Sequence, residues 1–318
     1  MYFENPLPLI FEELEKTQGN GWNPFSRKKK PQKVQKGLFA DAEFPRSNES
    51  VKRDSEFERE CFHKMPERWL RLYDRCDEPS LFRQGEKDAP LAKKAQDIDP
   101  RINPDDIKQG GGLGDCWFIS VVSALAANPN VLRDIFSANL DAVDDDVERA
   151  LVANRVGVYA LKLFDKHSKQ WGYILVDDYI PVMQHDIDNE LCFARSRDRN
   201  EIWPQLIEKA FAKIHGSYQW MYGKHSKKLM YDDVLGMLTG GVVDYQKVGD
   251  DPDDTYNRIE KMLKDDVALM SGTYGCYTPG IDDPVKNGLS PNHAYSVLGV
   301  FTFSDGDRVI RFRNPVSR

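Results

Sequence analysis

The sequence predicts an α+β fold with two halves, one mainly helical and the other mainly antiparallel β. In the first half, an apolar run with helical spacing follows Cys116, and residues 201–214 repeat apolar side chains every three or four positions. In the second half, two β-rich runs at 294–303 and 308–313 flank the turn sequence SDGD. Because 318 residues are many for one hydrophobic core, we expect two packed subdomains.

Composition and charge exclude several classes of protein. The net charge of −7 argues against nucleic acid as the main partner. The five cysteines are odd in number and widely spaced, so they indicate neither a disulfide framework nor a zinc site. The N-terminus lacks the basic flank of a signal peptide, and no apolar stretch reaches the roughly 20 residues that cross a bilayer. We therefore expect no transmembrane segment and a reducing, cytoplasmic location.

Three segments follow from the composition along the chain. Residues 1–36 form a predicted N-terminal extension, whose basic run at 27–30 is either a solvated linker or a patch for targeting or for anionic surfaces. Residues 37–224 form the predicted first subdomain, and residues 225–318 form the second, which we expect to be short at its C-terminal end. The acidic run 141–148 is either a solvated turn or a cation loop, and it lacks EF-hand spacing.

The periodicity predicts further elements in both subdomains, and Gly216 is the predicted stop of the helix over 201–214. The other predicted elements are helices over 10–16, 131–136, 229–238 and 255–263, a hairpin of 156–164 with 171–176, and strands over 179–183, 242–245 and 267–271.

The clearest local signal for chemistry is the run from Gln109 to Ala127, QGGGLGDCWFISVVSALAA. Asp115 can act as N-cap, which places Cys116 in the first turn of a helix. There the unpaired backbone N–H groups and the positive end of the helix dipole favour a thiolate, which is the nucleophilic form of cysteine. A cysteine that opens an apolar helix is more often a small buried hydrophobe, so the prediction depends on a base elsewhere in the chain.

One of the six histidines is a candidate base. His293 immediately precedes the apolar run AYSVLGV, and a residue at the start of a strand is rigidly held yet can face a cleft. Considered alone, it would more often be a structural histidine. The remaining histidines lie in polar turns or at helix ends, and we expect them to be solvated: His63, His167, His185, His215 and His225.

Asn314 is the candidate orienting group. It follows the second strand of the predicted hairpin, which returns beside His293, so its side chain can accept the ring N–H of that histidine. A Cys, a His and an Asn in this arrangement perform acyl transfer, in which a thiolate–imidazolium pair attacks a carbonyl carbon. The backbone N–H of Cys116 and the side-chain amide of Gln109 can donate to the oxyanion that develops.

In combination, these motifs resemble the catalytic core of the calpains, which are calcium-dependent, papain-like cysteine proteases. The family pattern Q-G-x-L-G-D-C-W is similar to residues 109–117, G-H-A-Y-S-V to 292–297, and R-x-R-N-P to 311–315. Other similar stretches are GLFADAEFP (37–45), VDDYIPV (176–182), EIWPQLIEKAFAKIHGSY (201–218) and TGGVVDY (239–245). The resemblance extends from about residue 37 to the end of the sequence.

The resemblance implies a papain-like core with Cys116 on the helical half and both His293 and Asn314 on the β half. It implies limited cleavage of intracellular protein substrates through a thioester acyl-enzyme. It also implies calcium as a cofactor, with Asp106 and Glu201 matching the side-chain ligands of the family's first core calcium site. Calcium takes carboxylate oxygens, although spacing alone would leave both residues as solvated carboxylates.

The sequence departs from the family pattern at two places beside the site. One extra glycine lies between Gln109 and Cys116, so Gly110 occupies the position at which the family has its Gln, and Val316 replaces the Trp that follows Asn-Pro. A second hypothesis therefore stays open, in which the chain is a catalytically inactive, calpain-like module that binds or regulates other proteins. A transglutaminase-like acyl transfer fits the Asn and the flanking motifs less well.

Overall fold

The computed structural model describes residues 2, 4, 6–7, 38–52, 66, 68–76, 79–82, 102–110, 113–140, 156–182, 191–222, 230–265, 267–273 and 289–316. The predicted helix over 10–16, the basic run, the acidic run and three histidines (His63, His185 and His225) lie outside these residues.

Helices and strands are mixed along the chain, which confirms the predicted α+β class. In chain order the described elements are α1 (Asn48–Val51), β1 (Arg68–Arg71), α2 (Leu72–Arg75), β2 (Ile107–Lys108), α3 (Cys116–Ala126), α4 (Pro129–Ile135), α5 (Ser137–Leu140), β3 (Val158–Asp165), β4 (Gln170–Asp177), β5 (Tyr179–Val182), β6 (Arg195–Ser196), α6 (Trp203–His215), a 3₁₀ helix (Tyr218–Met221), α7 (Met230–Thr239), α8 (Pro252–Lys264), β7 (Leu269–Gly272), β8 (Ala294–Thr302) and β9 (Arg308–Arg313).

The named strands pair antiparallel in small sheets. β3 and β4 pair along their whole length, which confirms the first predicted hairpin. β8 is the central strand of a sheet with the order β7-β8-β9, and Ser296 lies opposite Arg313 in its register with β9. The start of β8 and the end of β9 therefore lie side by side, next to His293 and Asn314.

The helix ends follow from local sequence signals. The side chain of Asn128 accepts a hydrogen bond from the N–H of Asn130 at 3.3 Å, and Pro129 opens α4, where a missing N–H costs nothing. At the other end of the helical half, α6 stops at Gly216, whose φ of 91° is left-handed and suits a residue without a Cβ.

One strand prediction is wrong. Residues 242–245 form no strand, and the side chain of Val242 is 99% exposed. A β-branched sequence forms a strand only where a neighbouring strand pairs with it. No described strand pairs with this segment, although Val243 packs against the core.

The hydrophobic core is built around α3. Every residue of this helix after Cys116 is buried, as expected for a helix that is apolar on all sides. Phe211 of α6 packs on Phe118, with ring centroids 5.3 Å apart. Val234 and Leu238 of α7, which the sequence assigned to the second subdomain, join the same core cluster as α3. The subdomain boundary between residues 224 and 225 stays a prediction.

A fully buried lysine joins α6 to the first hairpin. The ammonium group of Lys209 forms an ion pair with Asp177, and it donates to the carbonyl oxygen of Tyr179 at 2.6 Å. A buried charge is tolerated only when a counter-charge and hydrogen bonds replace its water.

We predict that Lys209→Ala lowers the free energy of unfolding by about 3–5 kcal/mol, because it leaves the buried carboxylate of Asp177 without its counter-charge. Lys162→Ala is the matched control, since it removes an exposed ion pair with Asp134 and should cost less than about 1 kcal/mol. Urea denaturation measures both values, and equal losses would contradict the prediction.

Candidate active site

Cys116 is the first residue of α3, as the sequence predicts. Gly114 turns the chain into the helix with a left-handed φ of 61°. Asp115 occupies the N-cap position, but the prediction that its side chain caps the helix is wrong, because no capping hydrogen bond forms. Its buried carboxyl group lies beside that of Glu208 in α6 instead.

The half-buried thiol of Cys116 has a raised pKa, and burial is the main cause. The backbone N–H of Ala294 lowers the pKa, and the negative charge of Asp115 raises it further. The first-turn amides of Cys116 and Trp117 lower the thiol pKa as the sequence predicts, but burial outweighs them, so the predicted net lowering is wrong. A thiolate at this position needs an additional positive partner.

His293 and Asn314 meet at the junction of β8 and β9. Nε2 of His293 lies 2.8 Å from Oδ1 of Asn314, and the same oxygen accepts the backbone N–H of Val316 at 2.9 Å. Because Oδ1 acts as an acceptor, the neutral imidazole carries its proton on Nε2 and keeps Nδ1 for proton exchange. The backbone N–H of His293 donates to Thr273 Oγ1 at 3.1 Å. The ring of Tyr295 packs edge-on to the imidazole, with ring centroids 4.9 Å apart.

Several hydrogen bonds connect this strand pair to the helical half, and two of them lie next to the site. Oγ of Ser296 in β8 donates to the carbonyl oxygen of Ser120 in α3 at 2.8 Å. The N–H of Gln109 donates to the carbonyl oxygen of Pro315 at 3.0 Å. Together with the Ala294 N–H that reaches Cys116, they bring all four predicted catalytic residues to one junction. Their catalytic roles stay predictions.

The glycine after Gln109 is required by close contact. A Cβ on Gly110 would lie 2.4 Å from the carbonyl oxygen of Phe193 and 2.5 Å from that of Cys192. Oε1 of Gln109 is buried and accepts no hydrogen bond from the described residues. The backbone at Gly110 therefore leaves no space for a side chain.

Asp106 and Glu201 flank the short β2–β6 pairing. They are 1% and 0% exposed, respectively. The N–H of Arg197 donates to the carbonyl oxygen of Asp106 at 2.8 Å, and the hydroxyl of Ser196 donates to the Glu201 carboxylate. These buried carboxylates are oxygen donors of the kind that calcium takes. No described group of three or more Asp, Glu, His or Cys side chains forms a metal cluster, so backbone carbonyls would complete any coordination.

Two side chains of α6 lie differently from what the sequence suggests. His215, expected to be solvated, packs on Phe211 at 4.5 Å between ring centroids, and burial lowers its pKa. Sequence reasoning missed Glu208, which is fully buried beside Asp115. Its only sequence signal is its helical spacing, one turn from the apolar Phe211.

Comparison with known proteins identifies the family. A family model described as Calpain family cysteine protease matches residues 39–318. This chain belongs to the calpain family of cysteine proteases. It is 30% identical over 296 residues to Calpain-5 of Caenorhabditis elegans, covering 91% of this chain and 40% of that protein. It is 30% identical over 292 residues to Calpain-9 of Homo sapiens, covering 89% and 35%, respectively.

Family membership confirms the predicted resemblance and, with the mixed helices and strands, the papain-like class of the fold. At the level of the family, the chain is a peptidase core. It spans less than half the length of the calpains it matches. No helix in the described parts of the chain combines the length and apolar character needed to cross a membrane.

We predict that Gly110→Ala costs about 1–3 kcal/mol in the free energy of unfolding and displaces the Gln109 stretch, because a Cβ cannot approach carbonyl oxygens so closely. Gly272→Ala is the matched control, since a Cβ there meets nothing within 4 Å and should change stability by less than about 0.5 kcal/mol. Urea denaturation measures the stability of both variants. A Gly110→Ala variant as stable as Gly272→Ala would contradict the prediction.

Proposed function

We propose that this chain is a calcium-dependent cysteine endopeptidase that makes limited cuts in cytoplasmic proteins. The observation that carries the proposal is the 2.8 Å contact between Nε2 of His293 and Oδ1 of Asn314, next to a strand whose first N–H reaches the thiol of Cys116. Nucleophile, base and orienting group thereby meet at one junction on two different elements, as acyl transfer requires.

The reaction begins with transfer of the Cys116 thiol proton to Nδ1 of His293. Because burial raises the thiol pKa, the thiolate forms as an ion pair with the imidazolium, which the Asn314 oxygen holds in place through Nε2–H. The sulfur attacks the peptide carbonyl carbon, and His293 then gives its proton to the leaving amine. Water, deprotonated by His293, hydrolyses the thioester and frees the sulfur as a thiol.

The oxyanion of each tetrahedral intermediate needs donors at fixed positions. The backbone N–H of Cys116 lies in the unpaired first turn of α3, and Gln109 is anchored beside Pro315 by its own backbone N–H. A side-chain amide N–H from Gln109 would be the second donor. The steric constraint at Gly110 supports a fixed path for this stretch.

Asp106 and Glu201 would hold the calcium ion. When bound, the ion supplies positive charge that offsets two buried carboxylates beside the β2–β6 pairing. The chain runs from β2 directly into Gln109. A well-ordered β2–β6 pairing would therefore fix the position of the proposed oxyanion donor.

A second candidate function is an inactive, calpain-like module that binds or regulates other proteins. The observation that favours it is Val316, which is 55% exposed at the position where the family pattern has Trp. Because Val is smaller than Trp, less side-chain surface lies beside Asn314. The intact His293–Asn314 contact favours the protease.

We predict that Cys116→Ala abolishes both cleavage of a quenched peptide and labelling by a thiol-reactive epoxide, because it removes the nucleophile. Cys76→Ala is the matched control, since burial raises the pKa of Cys76 to about 11 and keeps that thiol unreactive. Cleavage that survives in Cys116→Ala would exclude the mechanism. A labelled wild type without turnover at saturating calcium would instead support the inactive module.

We predict that Asp106→Ala raises the calcium concentration for half-maximal cleavage by about tenfold or more, because it removes one of two carboxylate ligands. Asp244→Ala, which changes an exposed carboxylate, should leave the titration unchanged. A fluorogenic peptide assay in calcium–chelator buffers measures both variants. Activity that persists at full chelation would contradict calcium dependence.

A further inference from the structure

A pair of buried carboxyl groups lies next to the predicted nucleophile. Asp115, the residue before Cys116, is 0% exposed, and Glu208 of α6 is 1% exposed. The pKa of each carboxyl group responds to the other group, which places the two beside each other. None of the catalytic steps proposed above uses either group.

Hydrogen bonding around the pair requires a proton. Glu208 Oε2 accepts the backbone N–H of Ala194 at 2.9 Å. Among the described residues, no donor reaches the other three oxygens, Asp115 Oδ1 and Oδ2 and Glu208 Oε1, when both groups are ionised. One proton held between the two carboxyls serves one oxygen of each group and removes one of two adjacent negative charges.

The surroundings of the pair favour this protonation. The other titratable groups that act with it are the Cys116 thiol and the buried Tyr218 phenol, and no described Lys, Arg or His contributes to the pKa of either carboxyl. Burial raises the pKa of Asp115 to about 6. Burial and the neighbouring charge of Asp115 raise the pKa of Glu208 well above its usual range.

Glu208 also connects the two parts of the site that handle the oxyanion. On one side Glu208 lies beside the carboxyl group of Asp115. That carboxyl group makes no helix cap, while the backbone carbonyl oxygen of Asp115 accepts the N–H of Phe118 at 2.9 Å. On the other side Glu208 holds Ala194, which directly follows the carbonyl oxygens that pack against Gly110. The start of α3 and the Gln109–Gly110 stretch therefore share one buried anchor.

We propose that protonated Glu208 is a positioning residue for acyl transfer, which donates to Asp115 and accepts from Ala194 and so fixes Cys116 relative to the Gln109 stretch. The inference rests on the proposed protease function. Glu208 touches neither the substrate nor the reacting atoms, and it acts through the two segments that it joins.

The test compares two substitutions of the same residue. Glu208→Gln keeps one donor and one acceptor in place, so alkylation of Cys116 by iodoacetamide and kcat for peptide cleavage should stay within about threefold of wild type. Glu208→Ala removes the anchor, and both rates should fall by about 100-fold with KM little changed, as for a misplaced nucleophile. Glu260→Gln on the exposed side of α8 is the matched control and should behave as wild type.

Thermal stability as a function of pH reports the shared proton without any need for turnover. The unfolded carboxyls titrate near about 4, whereas those of the folded pair titrate higher, so the folded state holds more protons between these values. Wild-type stability should therefore fall relative to Glu208→Gln as pH rises from about 4 through the higher pKa. Below that range the difference between the two proteins should be constant.

Two results would overturn the inference: Glu208→Gln as impaired as Glu208→Ala, or a stability difference between wild type and Glu208→Gln that does not depend on pH. If Glu208→Ala does not fold, the variant Asp115→Asn is tested in its place. The amide N–H of the new side chain supplies a donor to ionised Glu208, so this variant should retain the alkylation rate. Loss of that rate would equally overturn the inference. If no protein, wild type included, cleaves peptide, the proposed function fails, while alkylation and stability still decide the role of Glu208.

Discussion

Among the contacts that join the two halves of the site, the most buried hydrogen bond runs from Ser296 in β8 to the carbonyl oxygen of Ser120 in α3. Both residues are fully buried, so a broken bond would leave polar atoms without water, at a cost of about 1–3 kcal/mol. The bond is specific in position, because the Ser120 carbonyl lies one turn from Cys116 and Ser296 lies three residues from His293. It therefore helps to set the position of Cys116 relative to His293, the proposed nucleophile and base, which no local preference of either element could set.

The helix α6 packs on α3 through Phe211 and Phe118. Two neighbouring residues of α6, Glu208 and Lys209, are buried and have different partners. In the proposal above, Glu208 shares a proton with Asp115. Lys209 forms an ion pair with the carboxylate of Asp177. Glu201, the candidate calcium ligand, lies just before the same helix, about two turns from Glu208. One rigid element thus joins the candidate calcium site, the start of α3 and the first hairpin. Buried polar pairs of this kind add little net stability, but they exclude alternative packings.

Local sequence signals predicted those features that local interactions determine. The start of α3 at Cys116, the end of α6 at Gly216 and the hairpin that brings Asn314 to His293 all follow from periodicity and turn residues. The exposed segment 242–245 and the raised thiol pKa were not predictable in this way, because each depends on which neighbours the fold supplies or withholds. Glu208 belongs to the second group, since a charged residue in an amphipathic helix is normally assigned to the solvent face.

The raised thiol pKa changes how activation of Cys116 should be understood. A helix terminus contributes a few tenths to about 1 kcal/mol when exposed, which is too little to offset the burial of a sulfur anion. A neighbouring imidazolium offers a full charge at short range, and the contact of His293 with Asn314 is what orients that ring. In the proposed mechanism, the reactivity of Cys116 therefore depends on the junction between α3 and β8, and not on the helix alone. A change that separates β8 from α3 would return the sulfur to an unreactive thiol even if every catalytic side chain were present.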